Sequence, residues 1–202
     1  MGEAINTYVD LLERYFERIE PQVGFKIPIE REWSAQISGT YSPRIDIAIG
    51  PFAIYPGRKR VNDYDRLVES SKDFIELLIK NFEENKSKYE LEPLTAEKEP
   101  SIFSFLSESG QCVNPNSRCF MAIEIEGEGK HLKRKLGSII NASAMGRIGL
   151  MIAEDEECLK KLLNLLAYLH FLKEVRKPSF NAGNIIIITE KQFNSILAEI
   201  NK

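Results

Sequence analysis

Apolar positions recur along this chain in two rhythms, and the changes between them mark its elements. Ile5, Tyr8, Val9, Leu12, Tyr15, Phe16 and Ile19 fall at three- and four-residue spacing, which predicts an amphipathic helix ended by Pro21. Residues 22–42 hold Ile27, Ile29, Trp33 and Ile37 without a clean period, so a short strand or helix is expected around a core Trp33. Ile45, Ile47 and Ile49 then alternate with Asp46, Ala48 and Gly50, the period of a strand with one apolar face. Pro51, Pro56 and Gly57 turn the chain, and RKR at 58–60 leads into a second helix carrying Tyr64, Leu67, Val68, Phe74, Ile75, Leu78 and Phe82. Residues 83–118 are polar and proline-bearing, the mark of an irregular insertion.

The second half alternates more regularly. CFMAIEIEGEGK reads as a strand closed by Gly127 and Gly129. Residues 130–145 read as a helix with Leu132, Leu136, Ile139 and Ile140 inward, stopped by Gly146. GRIGLMIA, 146–153, is a short apolar strand, and Asp155 caps a leucine-rich helix that stops before Pro178. NIIIIT is another buried strand, and Thr189 caps a last helix built on Phe193, Ile196, Leu197 and Ile200. Strands alternating with helices predict an α/β fold, a mixed central sheet flanked by helices.

Composition adds bounds. At 202 residues the chain suits one domain, 1–202, with 62–118 as an insertion within its core. A net charge of −3 supplies no global basic field, so any nucleic-acid partner must meet a local patch. Three cysteines make an odd count, which fits a reducing compartment better than a disulfide framework, and with two histidines they make a structural zinc site improbable. Acids interrupt the first apolar stretch and no window approaches a membrane span; the expectation is a cytoplasmic protein without a membrane partner.

Chemistry enters where two strands share a peculiarity. Asp46 points away from the apolar face of its strand, as Glu124 and Glu126 do from Met121, Ile123 and Ile125. Residues on one face of a strand lie about 6.6 Å apart, so neighbouring strands would bring the three carboxylates together. Crowded like charges need a cation or proton, and an oxygen-rich site favours Mg²⁺ or Mn²⁺. Solvent-facing acids are also common on strands, and an unrelated α/β protein would have Asp46 and Glu124 on opposite faces or on strands that are not neighbours. Next to the acids, Lys130, His131, Lys133, Arg134 and Lys135 crowd the start of a helix, where cations oppose the dipole. They form either a solvated face or a phosphate-facing patch. Asn141 and Ser143 fit helix packing, and Gly146 and Gly149 bracket Arg147.

Asp46 in the context PRID, then strand-borne Glu124-Ile125-Glu126, then a helix and a strand, resembles the PD-(D/E)XK nuclease superfamily over roughly residues 30–153. Pro43 stands three positions before Asp46 instead of next to it, and Glu126 replaces the usual lysine. The resemblance implies a restriction endonuclease-like αβββαβ core, here with a helical insertion and a C-terminal helix–strand–helix extension. It implies Mg²⁺ or Mn²⁺ held by Asp46, Glu124 and the Ile125 carbonyl, and an attacking water handled by Glu126 or Lys130. Glu30 or Glu32 would be a supporting acid, in the family a residue of an earlier helix. The implied activity is phosphodiester hydrolysis, chiefly of DNA, with a restriction endonuclease as one form. Arg58, Lys59, Arg60, Lys130, Lys133 and Arg134 would meet phosphates, and cutting two strands favours a homodimer. The alternative is a catalytically inactive protein of the same fold, binding nucleic acid or serving assembly.

Overall fold

The computed structural model describes residues 2–35, 42–54, 60–89, 114, 116–127, 131–176 and 181–202. Among them it shows an α/β fold with a five-stranded mixed open sheet and six helices. Helix α1 (Gly2–Val23) buries Tyr8, Leu12, Phe16, Ile19 and Val23 along one stripe. It runs past Pro21 and stops at Gly24, whose φ of 79° is the left-handed turn that glycine adopts without a Cβ penalty. Strands β1 (Ile29–Ser34), β2 (Arg44–Ile49) and β3 (Cys119–Glu126) form an antiparallel meander. Trp33 is buried on β1, so the segment around it is a strand.

Between β2 and β3 the expected single helix is two, α2 (Val61–Ser70) and α3 (Lys72–Lys88). The break falls at Ser71, fully buried, whose hydroxyl donates to the Leu67 carbonyl at 2.5 Å. Such back-bonding by serine bends a helix. Residues 90–113 of the expected insertion lie outside the described residues.

Helix α4 (Leu132–Met145), strand β4 (Gly146–Ala153), helix α5 (Glu156–Glu174), strand β5 (Ile185–Thr189) and helix α6 (Glu190–Ile200) complete the chain. The sheet order is β1-β2-β3-β4-β5, with β3, β4 and β5 parallel. Every residue of β3, β4 and β5 is buried, as expected of parallel strands covered on both faces. Helices α4 and α5 pack together on β4 and β5, with α4 also on β3, whereas α1 lies on β1 and β2 and touches α2 and α6. Both expected caps are formed: Asp155 accepts from the Cys158 amide at 2.7 Å, and Thr189 makes a capping box with Gln192. Gly146 does end α4, but in extended backbone (φ −87°), so a left-handed cap is not its reason. A Cβ there would lie 2.2 Å from the Ile148 carbonyl, and the helix passes straight into β4. No described helix is long and apolar enough to cross a membrane.

Candidate functional site at the end of β2 and β3

The ladder between β2 and β3 runs through Ile49–Met121, Ala48–Ala122 and Ile47–Ile123. Continued by one step, that register sets Asp46 opposite Glu124, on the sheet face that carries Ala48 and Ala122. The pairing stops there, and the Asp46 carboxylate takes the place of a strand partner: its Oδ2 accepts from the Ile125 amide at 2.9 Å. One acid is thus fixed against the backbone between the other two. β2 and β3 are neighbours, and this register puts Asp46, Glu124 and Glu126 on a common face.

Burial differs along the row. Asp46 is half-buried, Glu124 is 6% exposed and Glu126 1%. Carboxylates held out of water need compensation. For Glu126 it comes from α4. Ser138 donates to its Oε1 at 2.6 Å, and the Lys135 ammonium lies 3.7 Å from Oε2. Lys135, with no exposed side-chain surface, also donates to the Gly127 carbonyl at 2.5 Å and to Cys158 Sγ at 3.1 Å. The Cys158 thiol donates in turn to the Glu126 carbonyl at 3.2 Å. Burial raises the Cys158 thiol, with Lys135 working against the shift, so this is a protonated, packed cysteine. Cys119 is fully buried and raised for the same reason.

Lys135 is the residue that the sequence pattern misplaces. Leu132, Leu136 and Ile140 were expected inward, yet Leu132 is 56% exposed and the other two are only partly buried. The buried stripe of α4 is instead Lys135, Ile139, Ala142 and Ser143, turned by about one position. The spacing of Lys135, Ile139 and Ala142 is itself helical, but a lysine breaks the apolar pattern from which such stripes are read.

The supporting acids are on a strand, not on a helix. Glu30 is exposed on β1, paired in register with Ala48. Glu32 has a φ of 51°, unusual for a residue other than glycine, and interrupts the β1–β2 register across from Asp46. Its carboxylate pairs with Arg44 at 2.7 Å. Of the expected phosphate contacts, Lys133 and Arg134 are exposed at the start of α4. Arg60 is already engaged, by the Phe52 carbonyl and by Asp63, each at 3.0 Å. Arg58, Lys59 and Lys130 lie outside the described residues.

A metal would have to be held by Asp46 and Glu124. Among the described residues no group of three or more histidine, cysteine, aspartate or glutamate side chains is placed to share an ion. The expected three-carboxylate convergence is therefore absent, because Glu126 turns to Ser138 and Lys135. Two carboxylates and the Ile125 carbonyl still form an all-oxygen set, and Mg²⁺ is commonly held by one or two carboxylates with waters and substrate phosphate filling the rest. The donor chemistry fits such an ion.

On the opposite face a cleft lined by Ala4, Tyr8, Ile125, Gly127, Glu154 and Glu190 opens at the carboxyl ends of the parallel strands. The Tyr8 hydroxyl donates to Glu190 at 2.5 Å. Its lining has two carboxylates and no cation, chemistry that repels a phosphate. No family model, curated protein or solved structure matches this chain.

Proposed function

We propose that the protein is a metal-dependent nuclease of the PD-(D/E)XK type that hydrolyses phosphodiester bonds, chiefly in DNA. The observation that carries this is the Asp46 carboxylate seated on the Ile125 amide, beside Glu124, in a helix, three-strand meander, helix and strand. Asp46 and Glu124, with the Ile125 carbonyl, would hold Mg²⁺ or Mn²⁺. When bound, the ion lowers the pKa of a water and neutralises charge building on the phosphate. The Ile125 amide donates to Asp46 Oδ2 and so orients that carboxylate. Glu126 or Lys130 would take the proton of the attacking water; of the two, Glu126 is held by Ser138 with Lys135 nearby. Lys133 and Arg134 hold the substrate backbone through sequence-independent phosphate contacts. A homodimer would bring one such site to each strand of a duplex.

A second reading is favoured by the commitment of Glu126 to α4 and by the absence of a three-acid group among the described residues. It is a catalytically inactive protein of the same architecture that binds nucleic acid or serves assembly. A cleavage assay decides between them. Plasmid and single-stranded DNA are incubated with Mg²⁺ or Mn²⁺ and either wild type or Glu124→Ala. The nuclease cuts and the variant loses at least about a hundredfold in rate. Equal cutting by both, or none by either, removes the catalytic reading.

A further inference from the structure

Among the described residues Arg147 is the largest fully buried side chain, at 1% exposed. It leaves the second position of β4 and reaches α2, where its Nη2 donates to Asp65 Oδ1 at 2.8 Å. Its Nε and Nη1 lie out of solvent and have no hydrogen-bond partner among the described residues. Buried donors left unmet are costly, and burial pulls this guanidinium below its usual range while the Asp65 charge works against the shift. Asp65 answers the group incompletely. Nε and Nη2 lie on one edge of the planar guanidinium, an edge that fits two oxygens of a single oxyanion. Asp65 meets only the Nη2 half of that edge, with a side chain that is 49% exposed. The surroundings add cations. Tyr64, buried near Arg147, donates to the Pro51 carbonyl at 3.0 Å. Arg60 and Arg118 donate to the next two carbonyls, Phe52 at 3.0 Å and Ala53 at 3.1 Å, and their charges act on Tyr64. The acids beside them are Asp63, on Arg60 at 3.0 Å, and Asp65. Asp65 turned out into water would leave Asp63 against Arg60, Arg118 and Arg147, a balance that suits a dianion such as a phosphate group.

We propose that Arg147 binds a phosphate group, free or carried by a nucleotide, which displaces Asp65 and takes Nε and Nη2 together. Asp65 is the placeholder of the unliganded protein, able to leave because half of its side chain is already in water. The site is separate from the carboxylates: Arg147 neighbours the start of β3, whereas Glu124 and Glu126 stand at its end. It uses no metal and does not rest on the nuclease reading.

The test is calorimetric titration in phosphate-free buffer with EDTA, using inorganic phosphate, adenosine 5′-monophosphate and adenosine. Wild type binds phosphate or the monophosphate with a dissociation constant on the order of 1 mM or tighter, and does not bind adenosine. Asp65→Asn, a change at a half-exposed side chain, binds about tenfold tighter, because a neutral amide competes less for the guanidinium. Arg147→Lys keeps the charge, loses the two-donor edge and binds at least about tenfold more weakly. Binding of both phosphate compounds makes the phosphate itself the ligand; binding of the monophosphate alone makes it a nucleotide, and either result upholds the site. No binding by wild type and Asp65→Asn overturns it. So does an affinity that is no higher in Asp65→Asn or unchanged in Arg147→Lys, or adenosine binding as tightly as its monophosphate. If Arg147→Lys does not fold, the comparison of wild type with Asp65→Asn decides alone. None of these outcomes touches the nuclease reading, whose assay needs Mg²⁺ or Mn²⁺.

Discussion

The two ends of the parallel strands bury polar groups in opposite ways. Where β4 begins, the partners are mostly neutral and the targets are backbone carbonyls. Asn184, 1% exposed, donates to the carbonyls of Ser143 and Gly146, each at 3.0 Å. The Asn114 amide reaches the same turn through Ser143 and Ala144, and Ser143 itself donates to the Asn181 carbonyl at 2.6 Å. These groups close the direct passage from α4 into β4, which leaves carbonyls without helical partners. Where β3 ends, charges do the work: Asp46 on an amide, Glu126 against Ser138 and Lys135, and Glu124 buried between them. Neutral amides suffice to satisfy a backbone. A row of buried carboxylates is a costly way to do so, and its cost is understandable if the charges have a reaction to serve.

The same contrast separates two buried cations. Lys135 has the Gly127 carbonyl, Cys158 and Glu126 around it. Arg147, 1% exposed on β4, donates through Nη2 to Asp65 at 2.8 Å, while its Nε and Nη1 have no hydrogen-bond partner among the described residues. Those donors are left for the proposed phosphate.

The largest effect should come from unbalancing the charged end. Lys135→Met leaves Glu126 buried without its cation and should destabilise by about 3–5 kcal/mol in urea unfolding. Adding Glu126→Gln should recover most of that loss, because the two residues share one interaction; simple addition of the single effects would deny that coupling. Next comes the neutral end. Asn184→Ala strips several carbonyls of their donor and should cost about 2–3 kcal/mol by the same measurement. Glu124→Gln should instead cost less than about 1 kcal/mol, since the amide keeps the size and hydrogen-bonding capacity of the carboxylate. A loss as large as that of Asn184→Ala would make Glu124 a structural residue and erase the contrast.

The smallest effect is alkaline, and it spans both ends. Burial raises Tyr8, aided by the negative charge of Glu190, and raises Tyr64, while Tyr15 is pushed up to about 12, chiefly by burial. The folded state therefore holds these phenolic protons more tightly than the unfolded chain does. The stabilisation is complete below pH 10 and is lost as pH rises from about 10 toward 12. A fall on the order of 1 kcal/mol across that window, followed by unfolding midpoints and tyrosinate absorbance, is expected.

Period and caps made most of the fold legible. The alternation of Ile45, Ile47 and Ile49 located β2, the unbroken run of isoleucines located β5, and Asp155 and Thr189 marked two helix starts that the structure keeps. The misses have local causes. Pro21 did not end α1, because a helix ends where a left-handed residue can turn the chain, and Gly24 provides that. Ser71 broke a helix whose apolar stripe continues on either side. At the site, the residue types and the strands were readable, but that Asp46 and Glu124 share a face depends on the β2–β3 pairing, which alternation alone left open. The grip of Asp46 on an amide 79 residues away, and the entry of Lys135 into the core, are tertiary contacts with no local pattern to announce them.

The most direct measurement is a calorimetric titration of Mn²⁺ into wild type, Asp46→Asn, Glu124→Gln and the double variant. If these two carboxylates hold a single ion between their strands, wild type binds one Mn²⁺ per chain. Each single variant then weakens binding at least about tenfold, and the double variant is little worse than either. Equal Mn²⁺ affinity in all four proteins, or no binding by wild type, would contradict a shared metal site where β2 begins and β3 ends.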